Sequence, residues 1–291
     1  MSDGDGGRDA VVRFDEADLE RRFGGLRRLY GDAGYARLRA ARVAVVGLGG
    51  VGSWAAEALA RSGVATLRLI DLDHVAESNV NRQIQALTST LGMAKAAALA
   101  ARIGEIHPGC AVHAVEAFAD AEAWPGLLGG ASVDAVVDAC DQVHAKATLC
   151  AWALATGTPL VVSGAAGGKR RAEDVLVADL AEATHDPLLA SLRQRLRQRH
   201  GAARTGPIGI EAVFSREPVR LPESPAADGG EACAVDGSLN CHGYGSSVVV
   251  TATVGLVAAG RVLERLTVRP DGGTRVARSS LPTPSPKERQ P

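Results

Sequence analysis

Short apolar strands alternating with helical segments, a glycine-rich turn directly after the first strand, and a core nearly free of aromatic residues predict an α/β fold. The expected architecture is a Rossmann-like, doubly wound, mostly parallel sheet with helices on both faces and a C-terminal extension. Of 291 residues, 46% are hydrophobic and 22% charged, which excludes wholesale disorder and a collagen-like repeat. Aromatics make up only 3% against 34 glycines, a balance that suits closely packed helices and parallel strands.

Taken in order, residues 42–46 form an apolar strand, 53–61 a helix and 66–70 a second strand. Residues 93–106, almost wholly Ala, Leu and other good helix formers, predict the next helix. Strand 111–115, helix 120–128, strand 133–137, helix 144–155 and strand 160–163 continue the alternation. Beyond the turn Gly164-Ala-Ala-Gly-Gly168 come strand 175–180, helix 186–200, strand 210–214, a Pro-, Asp- and Gly-rich loop over 217–245, and a last helix over 246–266. Residues 1–20 and 269–291 are expected to be disordered tails, because neither can bury enough apolar area to order itself. One folded unit over 21–268 remains, its second half an extension of its first.

The five cysteines, Cys110, Cys140, Cys150, Cys233 and Cys241, include no C-x-x-C pair, so neither a disulfide framework nor a four-thiolate zinc site is expected. The N-terminus lacks a secretory signal, and the longest apolar run stops at Arg261, short of a bilayer span. A reducing cytoplasm without membrane association is the expected setting. The net charge of −1 excludes a globally basic nucleic-acid coat but allows a local basic face.

Gly47-Leu-Gly49-Gly50-Val-Gly52 follows a strand and opens a helix, the context in which such glycines cradle phosphates. Asp71 ends the second strand, 24 residues beyond Gly47, where a carboxylate can accept hydrogen bonds from ribose hydroxyls. These residues specify a nucleotide but leave a nicotinamide dinucleotide and ATP both open. Arg82 and Lys95 favour ATP, since attack at its α-phosphorus builds negative charge that two cations can neutralise. Asp141 suits magnesium as a carboxylate ligand, or else caps the helix that follows it.

The run 22–31, the glycine loop, Asp71-x-Asp73, Ser78-Asn79-Val-Asn-Arg82-Gln83, Gly92-x-x-Lys95 and Asp138-Ala-Cys-Asp141 together resemble the E1-like adenylating superfamily. That resemblance implies that ATP adenylates a carboxylate, that Gly50 lies against the nucleotide and that Asp71 holds its ribose. Asp73 belongs to the same nucleotide-binding set. Asn79, Arg82 and Lys95 would contact phosphates, and Asp141 would bind Mg2+. Two departures narrow the branch. The paired C-x-x-C zinc ligands and thioester cysteine common among activators of ubiquitin-like proteins are missing. Where the superfamily often places an arginine finger this chain has Gly25, leaving Arg22 or Arg28 as substitutes in an expected homodimer.

Further motifs, 51–61, 81–84, 164–168, Asp179-Leu, Asp186-Pro-Leu-Leu, 213–215 and 250–255, are similar to the branch of tRNA threonylcarbamoyladenosine dehydratases. That similarity implies ATP-dependent cyclisation of a hypermodified adenosine in tRNA through an acyl-adenylate. The alternatives are an activator of a sulfur-carrier protein's C-terminus, an NAD(P)-dependent oxidoreductase on the same cradle, and a non-catalytic regulatory subunit. A cysteine desulfurase or sulfur-acceptor partner visiting Cys233 is a further expectation; otherwise Cys233 and Cys241 read as small hydrophobes.

For tRNA the sequence offers Lys169, Arg170 and Arg171 after the glycine turn, and Arg193, Arg195, Arg197 and Arg199 along the 186–200 helix. Between Asp186 and Arg220 seven arginines face three acidic residues, a local basic excess in a nearly neutral chain. A merely solvated face is the competing reading.

Overall fold

A computed structural model describes residues 18–220 and 244–268. Strands β1 (Arg42–Val46), β2 (Thr66–Ile70), β3 (Ala111–Val115), β4 (Ala135–Asp138), β5 (Leu160–Ser163), β6 (Val175–Asp179) and β7 (Glu211–Ser215) make one sheet in the order β3-β2-β1-β4-β5-β7-β6. All neighbours run parallel except β6, which runs antiparallel to β7. The predicted doubly wound, mostly parallel sheet is therefore what the chain forms. After β1 the chain winds outward through β2 and β3, then returns to lay β4 on the other side of β1. This reversal opens a crevice at the carboxyl ends of β1 and β4, the place where such sheets bind ligands.

Among the described residues, seven helices surround the sheet: α1 (Leu19–Phe23), α2 (Gly25–Leu38), α3 (Gly52–Arg61), α4 (Lys95–Ile106), α5 (Val143–Thr156), α6 (Pro187–Arg199) and α7 (Val248–Thr267). The period of two along β1 divides the core, because successive side chains leave a strand on opposite faces. Val43 and Val45 pack with Leu59 of α3, Leu99 and Ile103 of α4, and Val250, Val254 and Val262 of α7. Ala44 and Val46 belong to the opposite layer, with Leu149 of α5 and Leu189, Leu192 and Leu196 of α6. Gly255 of α7 has no room for a side chain: an added Cβ would stand 2.3 Å from the Val51 carbonyl oxygen. That contact seats the last helix on the start of α3.

Several boundaries differ from expectation. Residues 120–128 form no α-helix, only a 3-10 turn at Gly126–Leu128, because Pro125 supplies no amide donor and Gly129 and Gly130 take positive φ. The helix expected from residue 93 starts at Lys95, since Met93 and Ala94 are drawn into bridging contacts with Val75 and His74. Leu180 leaves β6 for a short turn capped by the Asp179 carboxylate. Helix α1 begins at Leu19, so Leu19 and Glu20 are helical although residues 1–20 were expected to form a tail; Asp18 caps the helix by accepting from the Arg21 amide. Most of the 217–245 loop, with Cys233 and Cys241, lies outside the described residues, as do both outer tails.

His107 closes α4, with 0% of its surface exposed and its ring 4.6 Å from that of Phe23. Burial, reinforced by the Arg39 and Arg22 cations, pushes its pKa down to about 4. The folded state therefore stays neutral where the unfolded chain takes up a proton, and stability falls as pH drops from about 6.5 towards 4. The slope is up to about 1.4 kcal/mol per pH unit. His107→Gln is expected to flatten that limb in urea melts at stepped pH; an unchanged limb would place the acid sensitivity elsewhere.

Candidate active site

The crevice at the switch point is a cavity of about 660 Å3, floored by the glycine loop and walled by the loops after β2, β4 and β5. Each glycine has a separate mechanical reason. Gly47 has φ +82°, and a Cβ on it would lie 2.7 Å from the Cys140 amide nitrogen. A Cβ on Gly52 would lie 1.8 Å from the Gly47 carbonyl oxygen, so the turn closes only with glycine there. Gly49 has no neighbour closer than Gln83 Nε2 at 4.0 Å, which leaves open space above its backbone. Gly50 is flanked by Arg82 Cγ and Thr251 Cβ, each 3.2 Å from a built Cβ. No side chain caps the N-terminus of α3; the Ser53 amide donates to the Gly49 carbonyl at 3.2 Å, and the positive end of the helix dipole is available to an anion.

Asp71 accepts from the Leu48 amide at 2.5 Å and from the Asp73 amide at 2.8 Å, tying the glycine loop to the end of β2. Burial pushes its carboxyl up, opposed by the nearby Lys95 ammonium. Each carboxylate oxygen keeps a lone pair for a further donor. Lys95, in the first turn of α4, donates to Asp73 Oδ2 at 2.6 Å. Asp73 is thus Lys95's counter-ion, a pairing that spacing alone does not reveal. Asn79 Oδ1 accepts from the Ala76 amide at 3.0 Å and folds the loop that carries Arg82. Asp141 stands exposed at the cavity edge and makes no side-chain hydrogen bond among the described residues. The N-cap position of α5 is Gln142, whose side chain makes no capping hydrogen bond, so Asp141 is not the helix cap considered as its alternative. The fold brings eight of the nine cradle residues, and Asp141, to the wall of one cavity; Gly52 closes the turn and is not on that wall.

Among the lining residues given no role from the sequence are Phe118 after β3, Cys140 after β4, Leu188 of α6 and Thr251 of α7. Thr251, a polar residue in an apolar helix, was the one with a readable signal. Beneath the cavity lies a second unanticipated feature, a fully buried pair in which Lys146 Nζ is 3.2 Å from Asp138 Oδ1. The same Asp138 oxygen accepts from the Cys140 amide at 3.1 Å and from Cys140 Sγ at 2.9 Å, fixing the turn that leads to Asp141. Burial and the Asp138 charge push the Cys140 thiol well up. A second hollow, of about 760 Å3 between α1 and α4, is poorer in chemistry. Its Arg61 and Arg102 are paired with buried Glu57, and its Arg22 donates to the carbonyls of Glu105 and Ile106. Arg22 is therefore engaged, while Arg28 is exposed without a hydrogen-bond partner among the described residues.

The basic face is smaller than expected. Lys169 is internal: its Nζ donates to the Ser215 carbonyl at 2.9 Å and lies 3.8 Å from Asp186 Oδ2, with none of its side chain exposed. It cannot touch a macromolecule. Arg171 is held by Asp174 at 2.5 Å. Along α6, residues two apart are turned by about 200°, so the arginines cannot share one side. Arg193 donates to the carbonyls of Leu180 and Ala183, and Arg197 to that of Ala203. Arg170, Arg195 and Arg199 carry no side-chain hydrogen bond among the described residues, and they are what remains of the patch.

The ThiF family profile matches residues 23–283. The chain belongs to the ThiF family. Among curated members, the tRNA threonylcarbamoyladenosine dehydratase of Haemophilus influenzae is 38% identical over 88% of this chain and 96% of its own length. The Escherichia coli protein of the same name is 40% identical over 84% and 93%. The solved E. coli structure of that ThiF-family dehydratase in complex with ATP superposes with a TM-score of 0.75 at 38% identity, covering 86% of this chain and 96% of that one. E. coli MccB, at 14% identity and a TM-score of 0.55 over 87% of this chain and 65% of its own, shares the fold. A Rossmann-like, mostly parallel sheet was the expectation, and the seven-stranded sheet bears it out.

Proposed function

We propose that this enzyme is an ATP-dependent tRNA threonylcarbamoyladenosine dehydratase, acting on the modified adenosine at position 37. The observation carrying this reading is that the chain aligns over 96% of a protein of that name. The cavity supplies the matching chemistry: two cations beside an uncapped helix start. The threonyl carboxylate attacks the α-phosphorus of ATP, the α–β phosphoanhydride bond breaks and pyrophosphate leaves. The ureido nitrogen of the same side chain then attacks the acyl carbon, closing a ring and expelling AMP with the carboxylate oxygen. The net change in the base is loss of one water. Both reacting groups share one short side chain, so proximity supplies much of the second step.

In this reading the amides around Gly49, Gly50 and Gly52 receive phosphate oxygens, Gly47 shapes the turn, and Asp71 takes the ribose hydroxyls. Asn79, Arg82 and Lys95 contact the phosphates, with Asp73 holding Lys95 until ATP arrives. The unpartnered Asp141 carboxylate would hold the Mg2+ that accompanies a triphosphate, an ion usually bound by one or two carboxylates plus phosphates and water. A homodimer is supported by the apolar ridge that Val249 and Leu256 expose on α7, with Arg28 the arginine free to reach a partner. A reducing cytoplasm is supported by Cys110, Cys140 and Cys150 all being free thiols; no helix among the described residues is long and apolar enough to cross a membrane.

Mass spectrometry of tRNA nucleosides after incubation with protein, ATP and magnesium tests the assignment through the loss of water from the modified base. ATP turnover that ignores modified tRNA but responds to a protein with a Gly-Gly tail would overturn it. For the tRNA surface, Arg195→Ala with Arg199→Ala is expected to weaken binding and to lower the salt slope by about 0.9 for each phosphate that is no longer neutralised. Arg193→Ala, which removes a tie to backbone carbonyls, is expected to lower the melting temperature and leave that slope alone. A slope unchanged in the double variant would remove α6 from the tRNA-binding surface.

A further inference from the structure

Arg82 is gripped in two independent ways. Its main chain is fixed from α3, where Trp54 Nε1 donates to the Arg82 carbonyl at 2.9 Å. Its guanidinium is fixed from within the loop, where Nη1 donates to the Ser78 carbonyl at 2.6 Å and to Asn81 Oδ1 at 2.9 Å. A guanidinium presents five donors in a planar fork, so engaging Nη1 leaves the Nε and Nη2 edge for a bidentate anion. The other end of the Asn81 amide, Nδ2, donates to the Ser246 carbonyl at 2.9 Å. Ser246 adjoins Gly245, whose carbonyl accepts from the Gly168 amide at 2.9 Å, and the neighbouring Gly167 lines the far wall of the cavity. A single exposed amide therefore stands between the arginine and a stretch of chain that reaches the glycine turn.

We propose that Asn81 is a positioning residue for adenylation, orienting the Arg82 guanidinium before ATP arrives and tying that orientation to segment 244–247. The role rests on the proposed function, because it acts only through Arg82 on the phosphate being attacked. A long, partly exposed arginine samples many rotamers, and charge stabilisation is most effective when the cation needs no reorganisation as the reaction proceeds. Asparagine suits the position because its amide offers an acceptor to Arg82 and a donor to Ser246 at once. Alanine offers neither, and aspartate keeps only the acceptor.

The test compares Asn81→Ala and Asn81→Asp in the full chain. It reads pyrophosphate release with threonylcarbamoyladenosine-bearing tRNA, ATP binding by calorimetry, and melting temperature. Asn81→Ala is expected to lower kcat about tenfold while leaving ATP affinity and Tm near wild type. Asn81→Asp is expected to keep kcat within about threefold, because Arg82 keeps its acceptor, and to raise the KM for ATP by placing a negative charge beside the phosphates. Unchanged kcat in Asn81→Ala, equal kcat losses in both variants, or a Tm drop that tracks the activity loss would each overturn the role. Wild type that releases no pyrophosphate with the modified tRNA would defeat the proposed function and the Asn81 role with it. An active wild type matched by Asn81→Ala defeats the Asn81 role alone.

Discussion

Lys95→Ala is expected to slow pyrophosphate release by about 10^2- to 10^3-fold while changing ATP affinity by roughly threefold or less. The asymmetry comes from Asp73. In the free protein Lys95 already has a carboxylate at 2.6 Å, so binding ATP exchanges one anionic partner for another and the ground state gains little. Charge building on the α-phosphoryl oxygens during attack is new, and a preplaced ammonium stabilises it without reorganisation. Arg82→Ala should follow the same pattern. Removing Lys95 leaves Asp73 unpaired but largely in water, its side chain 71% exposed, so the fold should be little affected. Pre-steady-state pyrophosphate release beside calorimetric ATP titration separates the two quantities; equal losses in rate and affinity would contradict the transition-state role.

Lys146→Met is expected to be the most damaging single substitution for stability, at about 3–5 kcal/mol, because it leaves the Asp138 carboxylate buried without its counter-charge. For a domain of this size that corresponds to a fall in Tm of about 10 °C. Burial alone would push the Lys146 ammonium down, but attraction to Asp138 outweighs it and holds the group above its ordinary value. Lys146 therefore stays charged at neutral pH, and its contribution is lost as pH rises through the lysine range. Adding Asp138→Asn should recover more than half of the deficit, since the uncompensated charge disappears while an amide oxygen can still accept from the Cys140 amide. Urea denaturation of both variants decides the matter: a stable single variant, or a double variant worse than the single, would contradict this account.

The lysines mark where the sequence could be read and where it could not. The chain has only four, and the three within the described residues, Lys95, Lys146 and Lys169, are all buried. Lys95 was legible because its spacing from the glycine loop and Arg82 follows a pattern with a chemical reason. Lys169 was misread because it precedes Arg170 and Arg171, and a charge run looks the same whether it faces water or bends inward. Its true partners, Ser215 and Asp186, are distant in sequence and meet it only through the packing of β7 and α6. Lys146 gave no signal at all, since nothing local distinguishes a cation under a strand end from one on a helix surface. The strands were legible almost to the residue, their apolar runs being short and bounded by turn residues. The 120–128 segment was not, as its alanines and leucines outweighed Pro125 in a reading by propensity.

Helix α7 supplies Thr251 to the cavity and covers the start of α3 through Gly255, yet it follows all seven strands of the sheet in the chain, whereas the glycine loop beneath it follows the first. During translation the ribosome therefore releases a phosphate cradle whose lid is still being assembled. A nascent chain can order β1 through β5 and still lack a finished binding pocket, so competence for nucleotide arrives late in synthesis. Products of premature termination would expose the valine-lined underside of the sheet instead of binding ATP weakly, which makes them natural clients for quality control.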